Sequence, residues 1–129
     1  MPGTREPLAL LGGLVRNTKS NAVALVTNPF YHAWRAGALA SGAEITFINS
    51  HQSNNFIPDL SAIAPEILDR TTLMYLCSPT NPQGSVMDMD YMRRALSLAR
   101  RHNFLLVMDE CYADIWRSGA APKGMLDAA

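Results

Sequence analysis

A chain of 129 residues with 48% hydrophobic and 17% charged side chains can bury the core of one domain, which excludes a disordered chain. Eleven basic and eleven acidic residues cancel, so charge points to no nucleic acid and no anionic membrane. No apolar run reaches membrane-spanning length, the start lacks a signal-peptide pattern, and two cysteines fit a reducing, cytoplasmic setting rather than a disulfide framework.

In chain order, Thr4 is a candidate N-cap and Pro7 is tolerable in a first helical turn. Leu8, Leu11, Leu14 and Val15 then trace a helical apolar face, weakened by Gly12 and Gly13. A helix that starts straight after Gly3-Thr4 can also offer its free N–H groups and dipole to an anion. Asn17 to Asn21 reads as a polar loop. Ala22 to Thr27 reads as a buried strand, and Asn28-Pro29 as a helix start with Pro at the first position. On that helix Tyr31, Trp34 and Ala38 share a stripe, which Ser41-Gly42 ends. Trp34 fits the core. Tyr31, in the first turn, can be either core or a platform for a flat ring.

The next strand is Glu44 to Ile48, followed by a polar turn from His51 to Asn55. Asp59 can cap a short helix carrying Leu60 and Ile63, which Pro65 interrupts. Leu73 to Cys77 is the third strand and Ser78 to Gly84 a rigid polar loop after it. Asp88 caps a helix whose Met92, Ala95, Leu96 and Ala99 face inward and whose end carries Arg100, Arg101, His102 and Asn103. Phe104 to Met108 is the fourth strand, and it ends in acid at Asp109 and Glu110. Helices alternating with strands imply a parallel sheet with helical crossovers. A strand that ends in a carboxylate is how such a sheet presents chemistry to a ligand.

Other chemistries find little support. His32, His51 and His102 have no metal-like spacing and read as surface residues. Cys111 lacks a histidine to activate it. There is no dinucleotide-binding or phosphate-loop fingerprint and no serine-hydrolase elbow. Arg93, Arg94, Arg100 and Arg101 read as a solvated helix face, given the zero net charge.

Ser78-Pro-Thr-Asn-Pro-Gln-Gly84 followed by Asp109-Glu-Cys-Tyr112 resembles the pyridoxal-phosphate-dependent aminotransferases of fold type I, classes I and II. Asn28-Pro-Phe-Tyr31 and Gly3-Thr-Arg-Glu6 match as well, so the resemblance runs from Gly3 to about Trp116. With the Gly37 to Ala43 run and Phe56-Ile-Pro-Asp59, these stretches are most similar to bacterial succinyldiaminopimelate transaminases.

The resemblance implies a three-layer α/β/α fold with a mainly parallel sheet, residues 1–129 being an incomplete large, cofactor-binding domain without the small domain. It implies transfer of an amino group from glutamate to a keto acid such as N-succinyl-2-amino-6-ketopimelate, in lysine biosynthesis, by a homodimeric parent. Pyridoxal 5'-phosphate is the implied cofactor. Asp109 would pair with the pyridine nitrogen, and Tyr112 and Asn81 would bond the ring's phenolic oxygen. Tyr31 would stack on the ring, and Gly3, Thr4 and Arg5 would hold the phosphate. The family's catalytic lysine stands in a Ser-Lys context that neither Lys19 nor Lys123 has, and the arginine for the substrate carboxylate is also unmatched. An inactive module that holds the cofactor, or a partner subunit, is the alternative expectation.

Overall fold

The computed structural model describes residues 3–15, 19–117 and 119–129. Strands β1 (Val23–Asn28), β2 (Glu44–Asn49), β3 (Thr71–Cys77) and β4 (Leu105–Asp109) form one parallel sheet in the order β2-β1-β3-β4. Among the described residues four α-helices accompany them: α1 (Arg5–Leu14), α2 (His32–Ala40), α3 (Pro65–Arg70) and α4 (Met89–His102). The two central strands are almost wholly buried, which explains why they are continuous apolar runs rather than alternating ones.

The core has two halves, one on each face of the sheet. Leu8, Ala33, Trp34 and Ala38 of α1 and α2 pack on Ala24, Val26, Leu73, Tyr75 and Val107. Leu68, Met92, Ala95 and Ala99 of α3 and α4 pack on Val23, Leu25, Met74 and Leu76. This is the expected three-layer α/β/α arrangement.

From β1 the chain steps to β2, then returns across β1 to β3 and continues to β4. Parallel crossovers are right-handed, so a reversal of direction within the sheet moves the connecting helices to the opposite face. α2 therefore covers one side and α3 and α4 the other. The reversal also leaves a crevice outside the carboxyl ends of β1 and β3, where α/β sheets hold their ligands.

α1 and α2 touch backbone to backbone. A Cβ on Gly12 would lie 1.6 Å from the Gly37 carbonyl oxygen, and one on Gly37 would lie 2.0 Å from the Tyr75 hydroxyl. Tyr75 is fully buried and donates a 2.8 Å hydrogen bond to the Leu8 carbonyl. Gly12, which weakens the helix as a propensity matter, is thus required by the close approach. At the opposite end of the sheet, Lys19 Nζ donates to the carbonyls of Thr71 and His102. These close α3 and α4, where a cation complements the helix dipole.

Several local expectations are corrected. Pro29 is not the first residue of a helix: β1 runs to Asn28, whose carbonyl accepts from Ser50 N, and α2 begins at His32 with Tyr31 as N-cap. Pro65 does not interrupt a helix but opens one. Asp59 caps only the short 3-10 turn Leu60–Ala62, and α3 starts afresh at Pro65, which needs no donor there. Leu14 is 80% exposed rather than part of the apolar face. On α4, Leu98 joins Met92, Ala95 and Ala99 against the core in place of Leu96. His102 is only 14% exposed and bonds Asp69 through Nδ1 at 2.8 Å, so it is not a simple surface histidine. Thr4 occupies the N-cap position of α1 without a side-chain cap bond. Of the polar loop expected from Asn17, residues 19–21 form a turn and Asn17 lies outside the described residues.

The glycine contact makes a paired prediction. Gly12→Ala should force the two helices apart and cost about 1–3 kcal/mol, as overpacking of a tight contact does. Gly13→Ala, which would meet nothing within 4 Å, should stabilise by roughly 0.5–1 kcal/mol through helix propensity. Urea denaturation midpoints of the two variants should move in opposite directions.

Candidate functional site

The parallel pairing of β3 with β4 sets Cys77 opposite Asp109, so the two strands end level. The Ser78–Gly84 loop and the acidic end of β4 therefore leave the sheet side by side. The Ser78 amide joins them directly by donating to the Asp109 carbonyl at 3.1 Å. The loop is fixed by its own bonds: Thr80 N to Ser85 O, Gly84 N to Thr80 O, and Ser85 N to Thr80 Oγ1. Gly84 has φ +77°, a left-handed conformation that a side chain would strain.

Asp109 is 5% exposed. Its Oδ2 accepts from the Trp34 indole Nε1–H at 2.9 Å, and its Oδ1 accepts from the Cys111 amide at 3.2 Å. Both donors are neutral. Among the described residues no lysine, arginine or histidine forms an ion pair with this carboxylate. A buried negative charge satisfied only by neutral donors is matched best by a cationic partner brought from outside. A protonated pyridine nitrogen is such a partner, and the donor set around Asp109 fits it.

Asn81, in the loop, donates from Nδ2 to the Tyr112 hydroxyl at 3.1 Å. Asn81 is half-buried and Tyr112 is 37% exposed, so both polar ends face an open rim. An open cavity of about 570 Å³ adjoins them, walled by Val86, Ile115 and Trp116. Tyr31 precedes α2 at the same rim, half-buried, with its ring 6.1 Å from that of Trp34 in an edge-on contact. Tyr31 thus touches the residue that holds Asp109. A larger cavity, of about 670 Å³, lies around Ile57, Tyr91 and Arg94 and is lined by none of the expected site residues.

α1 runs antiparallel to the strands. Leu8 meets Tyr75, while Leu11 and Leu14 line a cleft with Thr72 and Leu105 at the amino ends of β3 and β4. Its N-terminus therefore faces the carboxyl rim. Gly3, Thr4 and Arg5 are exposed there. Pro7 has no N–H, so the first turn offers fewer free donors than an ordinary helix start. Arg5 pairs with Glu6 at 3.2 Å; the pair is exposed and of little worth in itself, which leaves Arg5 available to an anion. Glu6 carries the opposing charge, held ionised below the usual carboxylate range by its own backbone N–H and then by Arg5.

The family model described as aminotransferase class I and II matches residues 1–126. The chain belongs to the class I and II aminotransferases. It is 32% identical to an LL-diaminopimelate aminotransferase of Dehalococcoides mccartyi over 82% of this chain and 27% of that protein. An aminotransferase from Neisseria meningitidis superposes with TM-score 0.88 and 35% identity, over 98% of this chain and 32% of that one. A Thermus thermophilus structure described as a probable N-succinyldiaminopimelate aminotransferase gives 0.78 and 28%, over 94% and 32%. The chain spans about a quarter of the length of the curated relatives it matches.

At this rim, Asn81 and Tyr112 are brought into direct contact, Asp109 joins them from the adjacent strand end, and Tyr31 reaches them through Trp34. The α1 terminus stands over the same rim. Sequence reading missed the Trp34–Asp109 bond, since a tryptophan on a core stripe gives no sign that its N–H meets an acid 75 positions on. It also missed Glu110, whose Oε1 accepts from Met125 N at 2.6 Å and ties the distal tail to the turn after β4. Neither lysine joins the group: Lys19 is held at the opposite end of the sheet, and Lys123 is exposed.

Burial, reinforced by the nearby Asp109 charge, pushes the thiols of Cys77 and Cys111 up to about 12 and about 11, and burial alone pushes the Tyr75 phenol to about 12. Burial also raises the Tyr112 phenol. Each group keeps its proton longer folded than unfolded. Their contribution to stability is complete below about pH 9, where unfolded thiols begin to ionise, and is lost as pH rises through the folded values. Urea midpoints should therefore hold at pH 8 and fall by pH 11. Exposed Cys111 should react with iodoacetamide at pH 8 roughly a hundredfold more slowly than free cysteine, because so little is thiolate.

Proposed function

We propose that this chain holds pyridoxal 5'-phosphate through Asp109, Asn81, Tyr112, Tyr31 and the Gly3-Thr4-Arg5 turn. We propose further that it forms the ring-binding part of an enzyme moving an amino group from glutamate to N-succinyl-2-amino-6-ketopimelate. The observation that carries the reading is Asp109: a buried carboxylate, served by neutral donors, at the carboxyl rim of an aminotransferase sheet. When bound, the cofactor supplies a protonated pyridine ring that accepts electrons from a substrate carbon.

The chain's own residues have separable tasks. Asp109 keeps the ring nitrogen protonated by offering it a fixed negative charge. Tyr112, a neutral phenol at physiological pH, and Asn81 orient the ring's oxygen edge. Tyr31 covers one ring face and keeps water from it. Arg5 and the free amides of the first α1 turn draw the phosphate, against the local opposition of Glu6. The substrate is inferred from the diaminopimelate-type relatives, and a cytoplasmic homodimer is the form this reading takes for the parent enzyme.

The placement of the lysines favours a second reading for the 129-residue chain by itself, that of a cofactor-holding module without turnover. Lys19 is spent on the Thr71 and His102 carbonyls and cannot reach the rim. The purified chain mixed with pyridoxal phosphate, glutamate and keto acid should show no turnover above the cofactor alone, and borohydride reduction should label no single lysine. Pyridoxamine phosphate, which cannot bond covalently to lysine, should bind at one site, and Asp109→Asn should weaken that binding about tenfold or more. Equal binding by the variant would overturn the cofactor reading.

A further inference from the structure

Asp109 has two oxygens and unequal company. Oδ2 takes a 2.9 Å bond from Trp34, which is 1% exposed and is itself wedged between α2 and the sheet. Oδ1 takes the longer 3.2 Å bond from the Cys111 amide, and the Cys111 thiol also bonds the carboxylate. The other neighbours are engaged elsewhere. Cys77, opposite Asp109 in the ladder, donates its thiol to the Pro79 carbonyl, and Tyr112 is engaged with Asn81. A carboxylate offers about four acceptor sites, so Asp109 keeps capacity beyond these bonds.

We infer that Trp34 is a positioning residue for the cofactor: its indole N–H holds Oδ2 of Asp109, so that Oδ1 is presented to the ring nitrogen in one fixed orientation. The inference rests on the cofactor reading above and adds a role to a residue outside the expected contact set. An indole is suited to this task because it donates one hydrogen bond, accepts none and never ionises. It therefore orients the acid without neutralising it, as a lysine or arginine would. The flat ring is locked by packing, so the orientation costs no ordering when the cofactor arrives.

Among the described residues, the groups that face Asp109 are Trp34 from α2, Cys77 from β3, and Cys111 and Tyr112 from the turn after β4. All are neutral at and below pH 9, since burial holds the two thiols and the Tyr112 phenol above their ordinary values.

The test is the affinity of the 129-residue chain for pyridoxamine phosphate between pH 6 and pH 9, in wild type, Trp34→Phe and Asp109→Asn. If Trp34 aims the carboxylate, Trp34→Phe binds about tenfold more weakly at the upper end of the range than at the lower, relative to wild type, because the ring proton is no longer held. A role in packing alone would weaken binding by one factor at every pH, and that result overturns the inference. Should Trp34→Phe not fold, β-(3-benzothienyl)alanine at position 34 keeps the bicyclic shape without the N–H and carries the same two outcomes. Failure of the parent reading looks different: Asp109→Asn then binds as wild type does, whatever Trp34 does.

Discussion

The level ending of β3 and β4 is the constraint on which the site depends. Because Cys77 pairs with Asp109, the loop carrying Asn81 and the turn carrying Tyr112 rise from one place, and a 3.1 Å bond between their side chains becomes possible. A register slip of one residue would turn Asp109 to the other face, towards α4 and away from Trp34. The ladder is protected against such a slip by burial on both faces, since all seven residues of β3 are buried and any shift would expose part of that run. Core packing and site geometry are here the same fact.

A second dependence runs through the helices. α1 is drawn close to α2 by the contact of Gly12 with Gly37, and is pinned to the sheet by Tyr75 and the Leu8 carbonyl. That contact decides where the N-terminal turn lies over the rim, and so whether Arg5 and the first amides can serve an anion that also meets Asp109. α2 in turn delivers Trp34 to Asp109 and Tyr31 to the rim. Two glycines remote from the acid thus set the spacing of its surroundings.

The alternation of elements was legible because buried parallel strands are apolar runs, and because Asp88 and Asn103 mark the ends of α4 unambiguously; Asn103 does adopt the left-handed conformation expected of it. The rim was legible from the strand that ends in Asp109 and the proline-rich loop after Cys77. Misreadings arose where a residue's local preference has two uses. Pro65 can stop a helix or open one, and only the separate 3-10 turn before it decided between them. Gly12 looked like a weakness because its reason, a neighbouring backbone, is 25 positions away. Trp34 was placed in the core correctly, but the hydrogen bond of its N–H depends on a strand that the chain reaches last. Long-range pairings of this kind leave no periodic trace.

The central claim is that the carboxylate at the end of β4 meets a protonated pyridine nitrogen. It is tested most directly by the ¹⁵N chemical shift of ring-labelled pyridoxamine phosphate bound to the chain, at a pH where the free ring has lost its proton. The shift of a protonated pyridinium is the predicted result. The shift of an unprotonated ring, in a complex that is demonstrably formed, would contradict the claim.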